Sequence, residues 1–357
     1  MILRIYINIL DIYNILHYLT YFTMKKLLSA IQPSNQLTLG NYFGAIKQYV
    51  ALQHQYESYI FIADLHAITN PKVDYSTLKQ NKINAVCLYT ACGIDLKLNH
   101  VFYQSDVPSH TELAHILMCH TYMGELSRMT QYKDKMQKFT NANGTETIPA
   151  GLFTYPVLMA SDILLYDAEV VPVGSDQKQH LELTKTLALR FNKKYGNTFV
   201  VPNPLIAKFG SKIMDLANPE IKMSKSNTNE KGTIFLLEDI EITRKKIMSA
   251  KTDSLNKVKF DQLNQPGVSN LMTIYHLLTQ ISMEEIESKY ANQNYGVFKK
   301  DLADLVCNHL GNIQAKYHEC LKEYETKIKP ILIANTKIVN EITNKKLQEI
   351  YKKIGMK

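Results

Sequence analysis

The chain has 357 residues, of which 45% are hydrophobic and 21% charged, so it is long enough for a sizeable core and two domains. Its formal net charge of +8 permits a nucleic-acid partner without requiring one. The five cysteines are odd in number and include no CxxC pair, which argues against a disulfide framework and a zinc ribbon. This cysteine usage is typical of a reduced protein, and we expect a cytoplasmic location.

The first 23 residues are the most apolar part of the chain. Arg4, Asp11 and His17 interrupt them, and no segment offers the roughly 18 uninterrupted apolar residues of a membrane span. They also lack a small-residue cleavage site, which disfavours a signal peptide. We expect no membrane span, and we predict that residues 1–23 are an extension that is not part of the fold.

From Met24 onwards, short apolar runs alternate with helical patterns. Strands are predicted at 25–31, 59–64, 100–105 and 169–173, and helices at 39–56, 78–92, around 113–117 and at 177–195. Near-continuous apolar strands separated by helices indicate an α/β fold with a doubly wound, Rossmann-like parallel sheet. Such sheets bind ligands beyond the carboxyl ends of their strands.

The rest of the chain lacks strand patterns. A polar stretch at 132–147 is predicted to be an exposed loop. After Thr233 the apolar residues follow helical spacing, and Ser269 or Asn270 is the expected cap of the helix through Leu271. We predict a catalytic domain over 24–232 and a helical domain over 233–357.

The turn after the first predicted strand reads QPSNQLTLGNYFGA. A helix that starts near Thr38–Asn41 would present backbone N–H groups to an anion. Gly40 would let a flat ligand approach the backbone, while Thr38 and Asn41 would supply neutral hydrogen bonds. The alternative is that Gly40 and Gly44 only allow close packing of helix and strand, and this stretch alone favours that alternative.

A second motif favours the interpretation of this turn as a ligand-binding site. The sequence IKMSKSN contains KMSKS at 222–226. Together with TLGN at 38–41, it makes the chain resemble the class I aminoacyl-tRNA synthetases, whose signatures are a HIGH-type motif after the first strand and KMSKS after the last. Thr38 and Asn41 stand in place of the two histidines of that first signature.

The resemblance extends to the bacterial tryptophanyl-tRNA synthetases and covers about residues 25–306. The segments that carry it are GNYFGAIKQYV, FIADLHAIT, GELSRMTQYKDK, LFTYPVLMASDILLYDAEVVPVGSDQKQHLELT, RFNKKYG, KIMDLANPEIKMSKSN, PGVSNLMTIY and YGVFKKDLADLV. Ala30 stands where many relatives have glycine, Ser175 where an acidic residue is common, and the loop at 135–151 is longer than usual.

The resemblance implies that ATP, with Mg²⁺, activates L-tryptophan to tryptophanyl-adenylate, which is then transferred to tRNA(Trp) with release of AMP and diphosphate. Such chemistry depends on positioning and on neutralising charge, so lysines, glycines and helix termini are the expected parts. The catalytic residues that it implies are Lys222, Lys225, Thr38 and Asn41. The implied ATP site contains Gln32, Pro33, Ser34, Gly40, Asn41, Gly174, Ser175, Asp176, Ile213, Lys222, Met223, Ser224, Lys225 and Ser226.

Two of these assignments have alternatives. Asp176 is equally suited to cap the following helix. Lys133 or Lys135 is implied as a further phosphate contact, against the alternative that both belong to a solvated basic loop.

The implied tryptophan pocket is built around Asp162. Indole offers one N–H donor and no acceptor, so a carboxylate suits it, although an aspartate at this position could instead cap a helix. Tyr155 and Gln177 are implied to contact the substrate ammonium. The implied apolar walls are Met159, Val171 and Val173, which are also ordinary core residues. His66 is a further candidate for the same pocket, against the alternative that a lone histidine is more often structural.

No metal site is predicted. His110, His115 and His120 are five residues apart and would point in different directions from a helix, and Cys307 and Cys320 are too few for an iron–sulfur cluster.

The resemblance also implies that the helical domain binds the anticodon stem of tRNA(Trp) and that the protein is a homodimer. Three alternatives remain: a tyrosyl-tRNA synthetase, whose substrate also carries one donor; a catalytically inactive RNA-binding paralogue, against which the intact motifs argue; and a small-molecule nucleotidyltransferase, which would not need the helical domain.

Overall fold

The computed structural model describes residues 24–33, 37–70, 73–136, 148–174, 177–205, 212–224 and 230–357. The strands are β1 (Lys26–Ile31), β2 (Glu57–Ile62), β3 (His100–Tyr103), β4 (Val170–Pro172) and β5 (Asn203–Leu205). The helices before β5 are α1 (Leu39–Asn41), α2 (Lys47–Leu52), α3 (Asp64–Ala67), α4 (Tyr75–Ala91), α5 (Ser109–Met118), α6 (Met123–Ser127), α7 (Thr130–Met136), α8 (Ala150–Leu164) and α9 (Lys178–Tyr195). The later helices are α10 (Ile240–Met248), α11 (Pro266–Thr279), α12 (Met283–Lys289), α13 (Tyr295–Lys322) and α14 (Lys329–Lys353). Short 3₁₀ turns cover Gln104–Asp106 and Glu230–Gly232, and π-helical turns cover Tyr42–Ile46 and Tyr324–Ile328.

The strands form one sheet in the order β3-β2-β1-β4-β5, and every neighbouring pair runs parallel. The chain proceeds outwards from β1 to β3 on one side and builds β4 and β5 on the other, which confirms the predicted doubly wound sheet. The order reverses between β1 and β4. The crevice beyond the carboxyl ends of these two strands is where such sheets bind ligands.

Side chains of the strands alternate between two apolar clusters, one on each face of the sheet. In β2, Ile60 and Ile62 belong to the first cluster, and Tyr59 and Phe61 belong to the second. The first cluster also contains side chains of α4, α11 and α13, and the second contains side chains of α5, α8 and α9. Cover on both faces explains why the strands are nearly continuous apolar runs in the sequence.

The C-terminal helices pack directly on the sheet region. Helix α13 lies against α4 and α10, and α14 runs along the outer strand β3 and against α5. An edge strand covered in this way is protected from pairing with another chain. The first cluster thus contains residues from both sides of the predicted boundary at 232, such as Ile46 and Phe298; the division into domains stays a prediction. None of the helices described is both long and apolar enough to cross a membrane.

Four local predictions differ from the structure. Strand β5 was not predicted, because a run of three residues centred on Pro204 resembles a loop; its place at the edge of the sheet tolerates the proline. The stretch predicted as a loop from 132 begins inside α7, while 137–147 lie outside the described residues. Helix α11 starts at Pro266 with Gln265 as its cap, so neither Ser269 nor Asn270 caps it. Helix α8 (Ala150–Leu164) was also not predicted.

Candidate active site

The turn between β1 and α1 is closed by a reciprocal pair of side chains. Thr38 Oγ1 accepts a hydrogen bond from the Asn41 backbone (3.1 Å), and Asn41 Oδ1 accepts from the Thr38 backbone (3.0 Å) and from Thr38 Oγ1 (3.0 Å). Because Oδ1 is used inside the turn, the amide N–H₂ group is the part of Asn41 that a ligand can meet. Thr38 is fully buried, so its hydroxyl positions Asn41 instead of reaching the crevice.

A cavity of about 180 Å³ opens beside this turn, at the switch point of the sheet. We call it the glycine cleft. Its lining residues are Gly40, Asn41, Gly44, Ala45, Gln48, Tyr49, Pro172, Val173, Gly174, Leu205 and Lys222. Of the predicted ATP-site residues, the structure therefore brings together Gly40, Asn41, Gly174 and Lys222.

The two glycines of the turn have different surroundings. A Cβ atom at Gly40 would lie 3.5 Å from the carbonyl oxygen of Met223, so this glycine packs against the KMSKS segment. A Cβ atom at Gly44 would meet nothing within 4 Å. Because Gly44 also lines the cleft, any side chain there would project into the cavity. Close packing against another element therefore does not explain Gly44.

Lys222 lies on a short antiparallel hairpin. It pairs with Met214, and backbone hydrogen bonds from Asp215 N to Ile221 O and from Met223 N to Ile213 O (both 2.9 Å) flank the pair. Lys222 is exposed at the cleft, whereas Ile213 and Met223 are buried in the first apolar cluster. The alternation of a strand thus directs the lysine outwards and holds the hairpin by its neighbours.

The other predicted ATP-site residues lie elsewhere or outside the described residues. Gln32 is exposed at the end of β1 and Pro33 follows it, and neither lines the cleft. Ile213 is fully buried in the first apolar cluster and does not itself line the cleft. The carbonyl oxygen of Ser224 accepts a hydrogen bond from Thr233 Oγ1 (3.3 Å). Outside the described residues are Ser34, Ser175, Asp176, Lys225 and Ser226. Gln177 directly precedes α9, and because Asp176 lies outside the described residues, both of its suggested roles stay predictions.

Helix α8 supplies three of the predicted tryptophan-site residues. Tyr155, Met159 and Asp162 are four and three residues apart, which places them on one face of the helix. Tyr155 and Asp162 are buried, and Met159 is half-buried against the second apolar cluster. The ring of His66 stands edge-on to that of Tyr155, with 6.4 Å between the centroids.

Asp162 lies inside α8 rather than at its cap and accepts three hydrogen bonds. His110 Nδ1 (2.6 Å) and Gln104 Nε2 (2.8 Å) donate to Oδ1, and His66 Nε2 (2.7 Å) donates to Oδ2. We call these four residues the carboxylate network. A carboxylate offers about four acceptor positions, so, counting donors from the described residues, Oδ2 keeps one position for a further donor.

The network keeps Asp162 ionised. Burial alone would raise the pKa of this carboxyl group, because the charged form loses its hydration. Contacts with His66 and His110 outweigh burial and lower the pKa to about 2. At neutral pH the site therefore presents a buried, charged acceptor.

A second set of hydrogen bonds surrounds Tyr155. Its hydroxyl oxygen lies 3.0 Å from Gln131 Oε1 and 3.0 Å from His180 Nε2, and His180 Nδ1 donates to Gln177 Oε1 (2.8 Å). We call Gln131, Tyr155, His180 and Gln177 the tyrosine chain. It joins the two residues that were predicted to contact an ammonium group.

The segment after β4 connects the cleft with these polar groups. Val173 lines the glycine cleft and also packs against the second apolar cluster, which contains Val171. The backbone N–H of Gln177, in the tyrosine chain, donates to the carbonyl oxygen of Gly174 in the cleft lining (3.0 Å). The arrangement can hold a ligand that has a hydrogen-bond donor and an ammonium at one end and an anion at the other.

Four polar residues of the site were not predicted: Gln104, His110, Gln131 and His180. Gln104 and His110 follow β3, whose carboxyl end meets the same sheet edge as β2. A polar residue near the carboxyl end of the predicted strand at 100–105 is a signal that could have identified Gln104, whereas His110 comes five residues after that strand. For Gln131 and His180 the sequence holds no comparable signal, because their roles depend on how α7, α8 and α9 pack together.

Comparisons with known proteins agree with this geometry. A family model described as "tRNA synthetases class I (W and Y)" matches residues 24–311. A tryptophan–tRNA ligase of Malacoplasma penetrans is 56% identical over 337 residues, which cover 93% of this chain and 98% of the relative.

Solved structures give the same result. The crystal structure of tryptophanyl-tRNA synthetase from Mycoplasma pneumoniae is similar with a TM-score of 0.83 at 38% identity, covering 94% of this chain and 99% of the other. The enzyme from Campylobacter jejuni, solved as a complex with ADP and tryptophan, has a TM-score of 0.79 at 36% identity and coverages of 92% and 99%. The similarity therefore includes both the sheet and the C-terminal helices.

Proposed function

The chain belongs to the class I tRNA synthetases of the tryptophan and tyrosine family, and on this premise we propose that it is a tryptophan–tRNA ligase. In the first step, the carboxylate of L-tryptophan attacks the α-phosphate of ATP and diphosphate leaves. In the second, a terminal ribose hydroxyl of tRNA(Trp) takes the tryptophanyl group and AMP leaves. The observation that carries the proposal is the pairing of a buried, ionised acceptor, Asp162, with a cleft that bears Lys222, the two being joined through the segment after β4.

In this proposal ATP occupies the glycine cleft as its magnesium complex. The amide of Asn41 donates to a phosphate or ribose oxygen, and Gly44 leaves room for the nucleotide. Lys222 neutralises charge that moves onto the leaving diphosphate, which stabilises the transition state more than bound ATP. The proposed contributions of Ser34, Ser175, Asp176, Lys225 and Ser226 rest on the sequence alone.

L-Tryptophan occupies the space between α8 and the segment after β4. Its indole N–H donates to Oδ2 of Asp162, the oxygen with room for another donor. The ammonium lies near Tyr155 and Gln177, and Met159, Val171 and Val173 supply the apolar surroundings of the ring. Substrate carboxylate and ATP α-phosphate then meet near Gly174, where positioning can supply much of the rate.

We assign tryptophan, and not tyrosine, as the substrate because of what the similar proteins are. A phenol O–H could donate to Asp162 as an indole N–H does, so the chemistry of the carboxylate alone fits both substrates. The relatives with 45–56% identity over most of the chain are tryptophan–tRNA ligases. The intact TLGN and KMSKS motifs argue against an inactive RNA-binding paralogue.

The remaining proposals concern partners and location. We propose that the anticodon stem of tRNA(Trp) binds the helical region, where Lys337, Lys345 and Lys352 are exposed at intervals of eight and seven residues along α14 and so share one side of it. A homodimer would cover the exposed apolar side chains of Tyr122 (63%) and Met123 (71%). We also propose a cytoplasmic location and a fold that does not require residues 1–23.

ATP–pyrophosphate exchange, measured with each of the twenty amino acids in turn, tests the proposed function. Exchange should depend on tryptophan, and addition of tRNA(Trp) should then give Trp-tRNA. Exchange driven by tyrosine and not by tryptophan would contradict the assignment of the substrate. Absence of exchange with every amino acid would favour the inactive RNA-binding paralogue.

A further inference from the structure

The hairpin that carries Lys222 has an outer edge that faces the helical region. Met214 pairs with Lys222, and the flanking hydrogen bonds belong to Asp215 and Met223. In an antiparallel pair of this kind, the two opposite residues do not bond to each other, and their backbone groups point away from the partner strand. Met214 therefore directs both its N–H and its C=O outwards, towards α11.

Asn270 on α11 satisfies both of these groups. Its Oδ1 accepts from Met214 N (2.9 Å), and its Nδ2 donates to Met214 O (2.9 Å). A single side-chain amide thus makes the two bonds that a neighbouring strand would make, in a setting where Asn270 is buried. Loss of the amide would leave the edge of the hairpin without these partners.

Helix α11 is a firm support for this contact. The side chain of Gln265, its cap, donates to the hydroxyl of Tyr295 on α13 (2.9 Å). At Gly267 the backbone lies so close to the 251 segment that a Cβ atom would be 2.1 Å from Lys251 O. The position of Asn270 is therefore fixed by the packing of the helical region.

The inner side of the same hairpin meets the first motif. Met223 packs against Gly40, whose Cβ position would be 3.5 Å from Met223 O. The hairpin is thus held between Asn270 on one side and the TLGN turn on the other. A small shift of the hairpin would move Lys222 relative to the cleft.

From this geometry we propose that Asn270 is a positioning residue for Lys222, a role that rests on the proposed function. It acts through the backbone of Met214 and places the lysine where the leaving diphosphate develops charge. The helical region would then contribute to adenylate formation by positioning Lys222, in addition to its proposed contact with tRNA.

The variant Asn270→Ala tests the role. We expect the rate of adenylate formation to fall by about tenfold to a hundredfold, because misplacement of a group by about 1 Å can cost about a hundredfold. Equilibrium binding of tryptophan should be unchanged, since the carboxylate network does not touch the hairpin. Amide hydrogen exchange in the 213–223 peptide should become faster.

Asn335 provides a matched control. It is a buried asparagine on α14, and its amide donates to the backbone carbonyls of Leu96 (3.2 Å), Asn99 (3.2 Å) and Val101 (3.3 Å), away from the hairpin. Asn335→Ala should lower the melting temperature as Asn270→Ala does. It should leave the rate of adenylate formation and the amide hydrogen exchange of the 213–223 peptide unchanged. Equal losses of rate in the two variants would show that general destabilisation is the cause and would overturn the proposal.

The decisive comparison combines Asn270→Ala with Lys222→Ala. If Asn270 acts through Lys222, the double variant should form adenylate at the rate of Lys222→Ala alone, within about twofold. Independent, multiplying losses would overturn the positioning role while leaving the proposed function intact. A wild-type protein that forms no adenylate would overturn the proposed function and the proposal together, so the two failures are distinguishable.

Discussion

Asp162 and Tyr155 are buried and hydrogen-bonded to other side chains, whereas Lys222 and Asn41 on the glycine cleft are exposed. Asp162 accepts three hydrogen bonds, and the hydroxyl of Tyr155 lies between two partners. Lys222 and Asn41, by contrast, are exposed on the cleft, and the residues that hold them, Met223 and Thr38, are the buried ones. In the first region the ligand-binding groups are themselves part of the core, and in the second they stand on top of it.

This difference suits two tasks. A buried acceptor that is already oriented discriminates strongly between ligands, because a ligand without the matching donor leaves it incompletely satisfied. An exposed lysine discriminates little, but it can stabilise charge wherever that charge develops. We therefore expect the carboxylate network to determine which amino acid is used and the glycine cleft to determine how fast it is activated.

The largest expected effect is on selectivity, in the variant Asp162→Asn. The amide can still accept through one oxygen, but its N–H₂ group would face other donors at the position of Oδ2. Sites built around such a hydrogen bond discriminate by about 10⁴–10⁵, so we expect the tryptophan-to-phenylalanine ratio of kcat/KM to fall by about 10³ or more. Steady-state exchange kinetics with both amino acids measure this ratio.

Asp64 is the matched control for that experiment. Like Asp162 it is a buried aspartate, but it lies directly after β2 and outside the carboxylate network. It accepts a hydrogen bond from Ser105 N (2.9 Å) and forms an ion pair with Lys82. Asp64→Asn should cost stability and leave the ratio unchanged. A ratio that survives Asp162→Asn would refute the assigned acceptor.

The next effect concerns rate. Lys222→Ala should lower kcat for adenylate formation by about a hundredfold, as the loss of one preorganised group at a site of developing charge costs about 10²–10³. The exposed lysine Lys259, in the helical region, is the control, and Lys259→Ala should form adenylate at the wild-type rate. Stopped-flow measurements separate this step from release of product. A wild-type rate in Lys222→Ala would mean that the lysine is only a solvated charge.

Stability at low pH tests whether the network is preorganised. The pKa of Asp162 in the fold, about 2, lies below its ordinary value of 3.8, so the ionised form stabilises the protein. This contribution, about 2 kcal/mol, is fully present above pH ~5 and is lost as pH falls through the folded pKa. The difference in unfolding free energy between wild type and Asp162→Asn should therefore shrink as pH falls from about 5 towards 2. Parallel denaturant titrations that show no convergence would contradict the predicted shift.

The smallest effect is steric. Gly44→Leu should preserve the fold, because leucine favours helix more than glycine, but its side chain would enter the cleft and raise KM for ATP by about tenfold. Gly311 on α13 is another glycine whose Cβ position meets nothing within 4 Å. Gly311→Leu should leave KM unchanged, and an equal KM for wild type and Gly44→Leu would place the nucleotide elsewhere.

The two regions also differ in how far the sequence predicts them. Four strands and the doubly wound sheet follow from local periodicity, which depends only on neighbouring residues. No helix was predicted over 150–164, so the common face of Tyr155, Met159 and Asp162 did not follow from local patterns. The partners of Asp162 could not be derived from such patterns either, since His66, Gln104 and His110 come from other parts of the chain and meet only because β2 and β3 are adjacent.

Asn270 illustrates the same limit. Its residue type and its place before an apolar helical pattern favoured a cap, but Pro266 starts the helix four residues earlier and leaves the amide free for another use. That use, the hydrogen bonds to Met214, joins positions 56 residues apart and depends on tertiary packing. Local patterns identify such a residue as polar and buried at most, and the structure identifies what it holds.

The division of tasks is tested most directly by single-turnover adenylate formation at a series of tryptophan concentrations, in Asp162→Asn and Lys222→Ala side by side. We expect Lys222→Ala to lower the plateau rate about a hundredfold at an unchanged half-saturating concentration. Asp162→Asn should raise the half-saturating concentration by a larger factor than it lowers the plateau. If both variants change the two quantities in the same proportion, the carboxylate network and the glycine cleft do not have separate tasks, and the account is wrong.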